Sequence, residues 1–177
     1  MTTDFPVLHY VGVPRIDLNK WTFEVSGEVA HHLILSHAEL MALPSVILVS
    51  DFHCVTGWSR FDNRWEGISF HEIAIRCNPL ESARFVTISC DDNYTTSLPL
   101  DQLLDDDVLL AYAHDGRPLA PEHGGPLRLV VPKRYAYKSA KWVRALKFTT
   151  EQEIGFWEQR GYSNSADPWK EERFGRP

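Results

Sequence analysis

Short segments in which apolar residues alternate with polar ones, or follow one another without a break, dominate the chain. They are rich in Val, Ile, Phe and Trp, the residue types that strands favour. A period of two is typical of a strand with one buried face. The pattern therefore predicts strands over Trp21–Val29, Val46–Cys54, Arg84–Cys90, Val108–Ala113, Leu127–Val131 and Lys141–Thr149.

Two short helices are marked by their start and stop signals. Ser36–Glu39 and Ser69–Glu72 both have the Ser-x-x-Glu form of a capping box, in which both side chains bond free backbone N–H groups. Pro44 and Pro79 follow within a few residues and end these helices. A third brief helix is predicted over Leu100–Leu104.

These elements predict an α+β fold, a strand-rich mixed single domain over residues 1–177. A chain of 177 residues is long enough for one core and short for two. Asp115-Gly116, between apolar segments, predicts a hairpin turn, and Asp105–Asp107 a solvated turn. Residues 155–177 are dense in aromatic side chains without a clear period, which predicts a segment that wraps over the domain surface.

Composition and charge narrow the function classes. The hydrophobic and charged fractions, 44% and 24%, are those of a globular protein. A net charge of -6 argues against general affinity for nucleic acid or an anionic membrane. No apolar run approaches the roughly 20 residues that span a bilayer, and the N-terminus lacks the basic and apolar parts of a secretory signal. We therefore expect a cytoplasmic protein with no nucleic-acid or membrane partner.

Positive charge nevertheless gathers in one segment. No acidic residue lies between Glu122 and Glu151, whereas this stretch holds Arg128, Lys133, Arg134, Lys138, Lys141, Arg144 and Lys147. On charge alone, a basic strand face balanced by carboxylates elsewhere is the simpler interpretation. Two features favour an anion site. The glycines after His123 let a backbone approach a ligand, and Lys138–Lys141 offers two ammonium groups and a hydroxyl, a set that suits phosphate.

Of the three cysteines, Cys54, Cys77 and Cys90, one stands at a distinctive place. Their spacings match no zinc ribbon or disulfide framework, so each is first interpreted as a buried thiol. Cys54, however, ends a strand and precedes a glycine-containing turn, where a side chain can face a cleft.

Three chemistries could use Cys54: a nucleophile activated by histidine, a zinc ligand, or a ligand of a softer redox metal. His53 is poorly placed as a base, because adjacent side chains on a strand point to opposite faces. The lack of His-x-x-x-His or Cys-x-x-Cys spacing counts against zinc. The residues alone thus leave a candidate thiolate and a candidate anion site far apart in sequence.

Together the two segments resemble the molybdopterin-binding domain of the sulfite oxidase family, over nearly the whole chain. His53–Ser59 (HCVTGWS) resembles the family's metal-ligand segment. Gly125–Pro132 (GPLRLVVP) and Tyr135–Trp142 (YAYKSAKW) resemble its cofactor-phosphate segment. Asp92–Leu100 and Leu109–Tyr112 also match the family pattern.

The resemblance implies a role for each matching residue. Cys54 would be the protein sulfur ligand of molybdenum, beside the two dithiolene sulfurs of one pyranopterin. Ser139 and Lys141, with Lys138 close by, would hold the terminal phosphate, and Arg60 would follow Cys54 into the substrate cavity as a catalytic cation. The implied cofactor-binding residues are His9, Tyr10, Thr56, Asp92, Tyr94, Thr96, His123, Arg128, Lys138, Ser139 and Lys141.

The sequence also departs from the family. Sulfite oxidases carry an arginine two residues before the N-terminal histidine, where this chain has Val7, which argues against sulfite. Arg60 or Arg64 would have to replace that cation. The haem and dimerisation domains of those enzymes have no counterpart here. A secreted branch of the family reduces methionine sulfoxide in proteins, but it carries an export signal that this sequence lacks.

The resemblance predicts a molybdenum–molybdopterin oxidoreductase that transfers an oxygen atom on a small S-oxide, N-oxide or oxyanion, with a separate electron-transfer partner. Two alternatives stay open. One is a non-catalytic module that binds a phosphorylated ligand, or the cofactor for storage or transfer. The other is a cysteine hydrolase that uses Cys54 as its nucleophile.

Overall fold

Two β-sheets make up most of the structure, a computed structural model that describes residue 2, residues 5–8 and residues 10–175. The strands of the described chain are β1 (Thr22–Gly27), β2 (Leu33–Ser36), β3 (Val46–His53), β4 (Ser59–Ser69), β5 (Phe85–Cys90), β6 (Thr95–Pro99), β7 (Leu109–His114), β8 (Arg117–Pro118), β9 (Arg128–Val130) and β10 (Val143–Thr149). Its α-helices are α1 (His37–Met41), α2 (Phe70–Cys77) and α3 (Leu100–Leu103).

The first sheet has the strand order β2-β1-β10-β5-β6. β1 and β10 pair in parallel, and the other neighbours are antiparallel. Because β10 lies in the middle of this sheet, it carries the end of the basic segment into the domain.

The second sheet has the order β3-β4-β7-β8, and β9 also pairs with β7. β3 and β4 form an antiparallel hairpin in which His53 lies opposite Ser59. β9, at the start of the basic segment, pairs antiparallel with β7, which in turn pairs with β4. The second sheet therefore connects the segment around Cys54 with the basic segment between Glu122 and Glu151.

The apolar core has two parts. The larger cluster packs the first sheet against α2 and the end of β4, with Phe23, Ile73 and Phe148 almost fully buried. The smaller cluster lies in the second sheet and is formed by Phe52, Trp65, Leu109, Ala111, Leu119 and Val130. Burying such side chains supplies the main stabilising free energy of the domain, about 1.5–3 kcal/mol for each large one.

The strand-rich α+β prediction is confirmed, as are the six strands, with ends shifted by a few residues. Both predicted capping serines accept a bond from the glutamate N–H three residues on, and at Ser36 the glutamate carboxylate completes the capping box. The Asp115-Gly116 turn closes the β7–β8 hairpin, and both residues have the positive φ that such a turn requires. The extent of the domain over 1–177 stays a prediction.

The sequence pattern missed four strands: β2, β4, β6 and the two-residue β8. β4 is the longest strand, at 11 residues, but its first half reads Ser-Arg-Phe-Asp-Asn-Arg, with no apolar alternation. It forms because β3 and β7 pair with its two edges. None of the helices in the described part of the chain has the length and apolar character needed to cross a bilayer.

Candidate active site

Cys54 lies at the first position after β3, in the turn that joins this strand to β4. Its backbone N–H donates to the Trp58 carbonyl at 2.8 Å, and its carbonyl accepts from the Gly57 N–H at 3.0 Å. Gly57 has a φ of 96°, which glycine adopts without strain. The Cys54 Sγ lies 3.1 Å from the Thr56 hydroxyl. The turn therefore holds the thiol in a defined place.

His53 is held away from that thiol. Its Nδ1 lies 2.8 Å from the Ser59 hydroxyl, and its ring packs edge-on against Trp169, with centroids 5.5 Å apart. Among the described residues, no group of three or more His, Cys, Asp or Glu side chains is arranged to hold a metal. Cys77 and Cys90 are buried in the larger core cluster, and burial raises the pKa of the Cys77 thiol to about 11.

The Cys54 side chain faces a cavity of about 350 Å³, which we call the Cys54 cavity. The basic segment forms another part of its wall, so the two candidate segments meet there. The residues implied by the family resemblance that line it are Cys54, Tyr10, Thr56, Asp92, Tyr94, Arg128, Ser139 and Lys141.

Arg128 is the buried cation of this cavity, with only 3% of its surface exposed. Its guanidinium lies over the rings of Phe5 and Phe52, at 5.3 and 4.9 Å from their centroids. Burial lowers the pKa of Arg128 to about 9, against the opposite effect of the Cys54 thiolate. Its Nη1 donates to the His123 carbonyl at 2.9 Å, but its Nε has no hydrogen-bond partner among the described residues. A buried donor of this kind calls for an acceptor.

Lys141 is the second cation on the wall. Its Nζ donates to the Leu8 and Glu122 carbonyls at 2.7 and 2.8 Å. Burial, followed by repulsion from Arg128, lowers the pKa of Lys141 to about 8. Gly124 makes this packing possible, because a Cβ on Gly124, whose φ is 109°, would lie 3.0 Å from the Lys141 Cβ.

Ser139, Asp92 and Tyr94 complete the polar wall. The Val131 N–H donates to the Ser139 hydroxyl at 3.0 Å, which leaves the hydroxyl proton free to donate to a ligand. The Asp92 carboxylate accepts from the Tyr94 N–H at 3.1 Å. The Tyr94 hydroxyl donates to the Tyr137 carbonyl. Burial raises the pKa of Tyr94 well above its usual value, so this hydroxyl stays a donor.

Comparison with known proteins identifies the family. The model of the family described as "Oxidoreductase molybdopterin binding domain" matches residues 10–157, which include Cys54, Arg128 and Lys141. The chain belongs to this family. The resemblance seen in the sequence is thereby confirmed, and the protein is an oxidoreductase of the molybdopterin-binding type.

Individual relatives agree with this assignment. The chain is 48% identical over 175 residues to the oxidoreductase YuiH of Bacillus subtilis, covering 98% of this chain and 88% of the relative. It is 32% identical to the putative protein-methionine-sulfoxide reductase subunit YedZ1 of Azospira oryzae, covering 92% of this chain and 63% of the relative. It is 29% identical to the protein-methionine-sulfoxide reductase catalytic subunit MsrP of Campylobacter jejuni, covering 81% and 54%.

A solved structure shares the fold. The sulfane dehydrogenase SoxCD of Paracoccus pantotrophus superposes with a TM-score of 0.75 at 20% identity, covering 81% of this chain and 42% of that one. At this identity the match shows the fold alone, and it agrees with the sulfite oxidase-like architecture predicted from the sequence.

The side chains around the Cys54 cavity fit a molybdopterin. Arg128 Nε and Trp58 Nε1 are buried donors without a partner among the described residues, and oxygen or nitrogen atoms of a ligand would satisfy them. The cations Arg128 and Lys141 suit a phosphate, and the Cys54 thiol suits a soft metal. A volume of about 350 Å³ lies within the range of small-molecule sites, roughly 300–1,000 Å³.

The structure places two other family-implied residues away from the cavity wall. The Lys138 ammonium is fully buried and bonds the Glu158 carboxylate and, at 3.0 Å, the Ser97 carbonyl. The Thr96 hydroxyl donates to the same Glu158 carboxylate at 2.8 Å. These two residues are thus engaged in an internal network rather than facing a ligand.

His123 and Arg60 lie near the site but not on its wall. The His123 ring stacks on Phe5 with centroids 4.7 Å apart and faces a second, open concavity next to His114. Arg60 bonds Asn63 and, at 2.6 Å, the Asp115 carboxylate. Burial lowers the pKa of His114 to about 4, so its ring is uncharged at neutral pH; its Nε2 lies 3.1 Å from both Arg60 Nη1 and Asn63 Oδ1. His9 lies outside the described residues.

Sequence reasoning missed an aromatic wall. Phe5, Tyr137, Trp157 and Tyr162 also line the cavity, and Trp157 contacts Tyr10 and Tyr162 with ring centroids 5.8 and 5.2 Å apart. For Trp157 and Tyr162, the only signal in the sequence was the aromatic density of residues 155–177. Tyr162 lies beyond the residues that the family model matches.

Proposed function

We propose that this protein is a molybdenum enzyme that transfers an oxygen atom on a small S-oxide, N-oxide or oxyanion, with Cys54 as the protein sulfur ligand of the metal. The observation that carries the proposal is the meeting of Cys54, Arg128 and Lys141 on one cavity wall. The family membership supports the molybdopterin.

The side chains of the chain divide the work of binding. Arg128 and Lys141 would hold the anionic end of one pyranopterin dithiolene, and Ser139 would donate to a remaining phosphate oxygen. Phe52 and Trp58 form apolar wall next to Cys54 and would exclude water around the metal ligand. When bound, molybdenum supplies two-electron chemistry between its +6 and +4 states, and the thiolate tunes its potential.

Among substrates, we favour a sulfoxide in the direction of reduction. Two relatives are named as methionine-sulfoxide reductase subunits, and Val7 replaces the arginine that sulfite oxidases carry. Removing one oxygen atom as water consumes two electrons and two protons. A separate protein would therefore deliver electrons, and the word subunit in the names of both relatives is consistent with such a partner. The cytoplasmic location stays a prediction.

Metal analysis tests the cofactor. Wild-type protein produced in a host that makes molybdopterin is expected to contain close to one molybdenum per chain, and Cys54→Ser to have lost most of it or to show a changed metal spectrum. Cys90→Ala, which removes a buried thiol outside the cavity wall, is the matched control and should keep the metal. Molybdenum near zero in the wild type, or full occupancy and an unchanged spectrum in Cys54→Ser, would refute the proposal.

Turnover tests the reaction class. A screen of methionine sulfoxide, an N-oxide and sulfite with a reduced dye as electron donor should show the fastest dye oxidation with the sulfoxide. Loaded protein that turns over none of these compounds would favour the non-catalytic binding module. Activity that is independent of metal, with labelling of Cys54 by an electrophile, would favour a cysteine hydrolase.

A further inference from the structure

The C-terminal residues 158–175, here called the tail loop, fold into a closed structure of their own. The Ser163 N–H donates to the Arg173 carbonyl at 3.1 Å, and the Gly175 N–H to the Gly161 carbonyl at 2.9 Å. Inside the loop, Ala166 is fully buried. The loop therefore has a defined shape without belonging to either sheet.

The tail loop is fixed to the segment that carries Ser139. The Tyr135 N–H donates to the Ala166 carbonyl at 2.8 Å, and the Tyr137 hydroxyl donates to the Ser163 carbonyl at 2.6 Å. At its start, the buried ion pair between Lys138 and Glu158 ties the two segments together. A polar network buried to this degree is costly to break, because each partner left alone remains unsatisfied.

From this base, Arg173 reaches the Cys54 turn. Its Nη1 donates to the Val55 carbonyl, and its guanidinium lies 5.4 Å from the centroid of the Tyr135 ring. Val55 stands between Cys54 and Thr56, and all three line the Cys54 cavity. The Arg173 guanidinium, held between the Val55 carbonyl and the Tyr135 ring, restrains the turn that positions the Cys54 thiol, because a charged donor forms a stronger hydrogen bond than a neutral one.

We propose that Arg173 is a positioning residue for Cys54, and that the tail loop is thereby a working part of the active site. Arg173 lies outside residues 10–157, so the family match does not assign it a role. The inference rests on the proposed function for its catalytic consequence, but the restraint on the thiol does not depend on the metal.

Three variants of the full-length chain separate positioning from general stability. Arg173→Ala removes the donor, and Arg173→Lys keeps a charged donor of shorter reach. Lys170→Ala is the control, because Lys170 is an exposed cation of the same loop, paired with Asp167 at 3.5 Å. Should Arg173→Ala fail to fold, the comparison of Arg173→Lys and Arg173→Gln with the wild type carries the same test.

The first readout needs no cofactor. Alkylation of Cys54 by iodoacetamide in the cofactor-free chain, located by mass spectrometry, is expected to be about ten-fold faster in Arg173→Ala than in the wild type, because the turn opens more often. Arg173→Lys should restore most of the protection, and Lys170→Ala should match the wild type. Equal rates in all variants would overturn the inference, whatever the metal content.

The second readout uses the loaded enzyme. Arg173→Ala is expected to shift the sulfur-to-molybdenum absorption band and to lower kcat about ten-fold, with KM changed much less, since outer-shell partners of metal ligands commonly matter by about 10–100-fold. A wild type without molybdenum would refute the proposed function, and the alkylation rates alone would then test the role of Arg173. If the wild type contains molybdenum and Arg173→Ala has the same absorption band and the same kcat, the positioning role is refuted but the proposed function is not.

Discussion

Replacing Lys138 by methionine would separate its two possible roles, as a phosphate ligand and as an internal ion-pair partner. The Lys138 and Glu158 side chains are 0% and 2% exposed. Methionine fills similar volume without the charge, so the Glu158 carboxylate would keep the Thr96 hydroxyl as a partner but lose the ammonium. The variant thus leaves an uncompensated negative charge in the interior.

The expected cost follows from that burial. Breaking a buried ion pair by removing one partner destabilises a protein by about 3–5 kcal/mol. For a chain of this size, each kcal/mol lowers Tm by roughly 2–4 °C, so a loss of about 10 °C is expected. Urea and thermal unfolding of the cofactor-free chain measure both quantities.

A double variant completes the experiment. Lys138→Met combined with Glu158→Gln removes both charges, keeps an acceptor for Thr96, and should recover a large part of the lost stability, so the two substitutions are not additive. Additive costs would show that the two charges are not coupled. Unchanged stability of Lys138→Met together with a lost cofactor would refute the structural reasoning and restore Lys138 as a phosphate ligand.

Three further predictions concern the surroundings of the cavity. Burial lowers the pKa of Lys141 from 10.5 to about 8, so the unfolded chain binds more protons than the folded one between these two pH values. The free energy of unfolding of the cofactor-free chain, relative to that of Lys141→Met, should therefore rise with pH across this window. A difference that does not change with pH in urea titrations would contradict this expectation. Gly124→Ala should lower the stability by about 1–3 kcal/mol and also lower the cofactor content. Gly161→Ala is the control, because Gly161 has a φ of 88° with open space around it; it should lose stability through backbone strain but keep the cofactor. Arg60→Ala should lower Tm but change kcat/KM by less than about three-fold, because Arg60 bonds Asp115 rather than lining the cavity. A loss of kcat/KM of about a hundred-fold or more would instead identify Arg60 as the cation that binds the substrate.

The sequence pattern predicted six strands that are rich in apolar residues and missed β4, which its neighbours define. β4 contains Asn63, which is fully buried and donates its amide to the Ser50 and Arg60 carbonyls at 3.2 and 2.8 Å. A buried asparagine satisfied by long-range bonds has no signature in a hydrophobicity pattern. Strand propensity depends on such pairing more than on local composition, so tertiary contacts decided β4.

At the cavity, the family motifs located the wall but not the direction of each side chain. Lys138 and Lys141 are three residues apart and chemically alike, yet they serve different ends. A 3-10 turn at Ala136–Lys138 directs Lys138 to Glu158, which follows it by 20 residues. No local feature announces that partner. The spacing that made both lysines candidates for phosphate therefore could not separate them.

The distribution of the seven cations in the basic segment explains how an acidic protein can hold an anion site. Lys133, Lys138, Arg144 and Lys147 pair with carboxylates that all lie outside the segment, on Asp105, Glu158, Asp91 and Glu153. Only Arg128 and Lys141 of the seven line the cavity, and the lowered pKa of each shows that burial already disfavours its charge. A third cation there would raise the free-energy cost of burying charge for all three. Carboxylates thus neutralise four of the seven cations and Arg134 bonds the Gln102 side chain, so that two cations, poorly solvated, face the ligand in a chain of net charge -6.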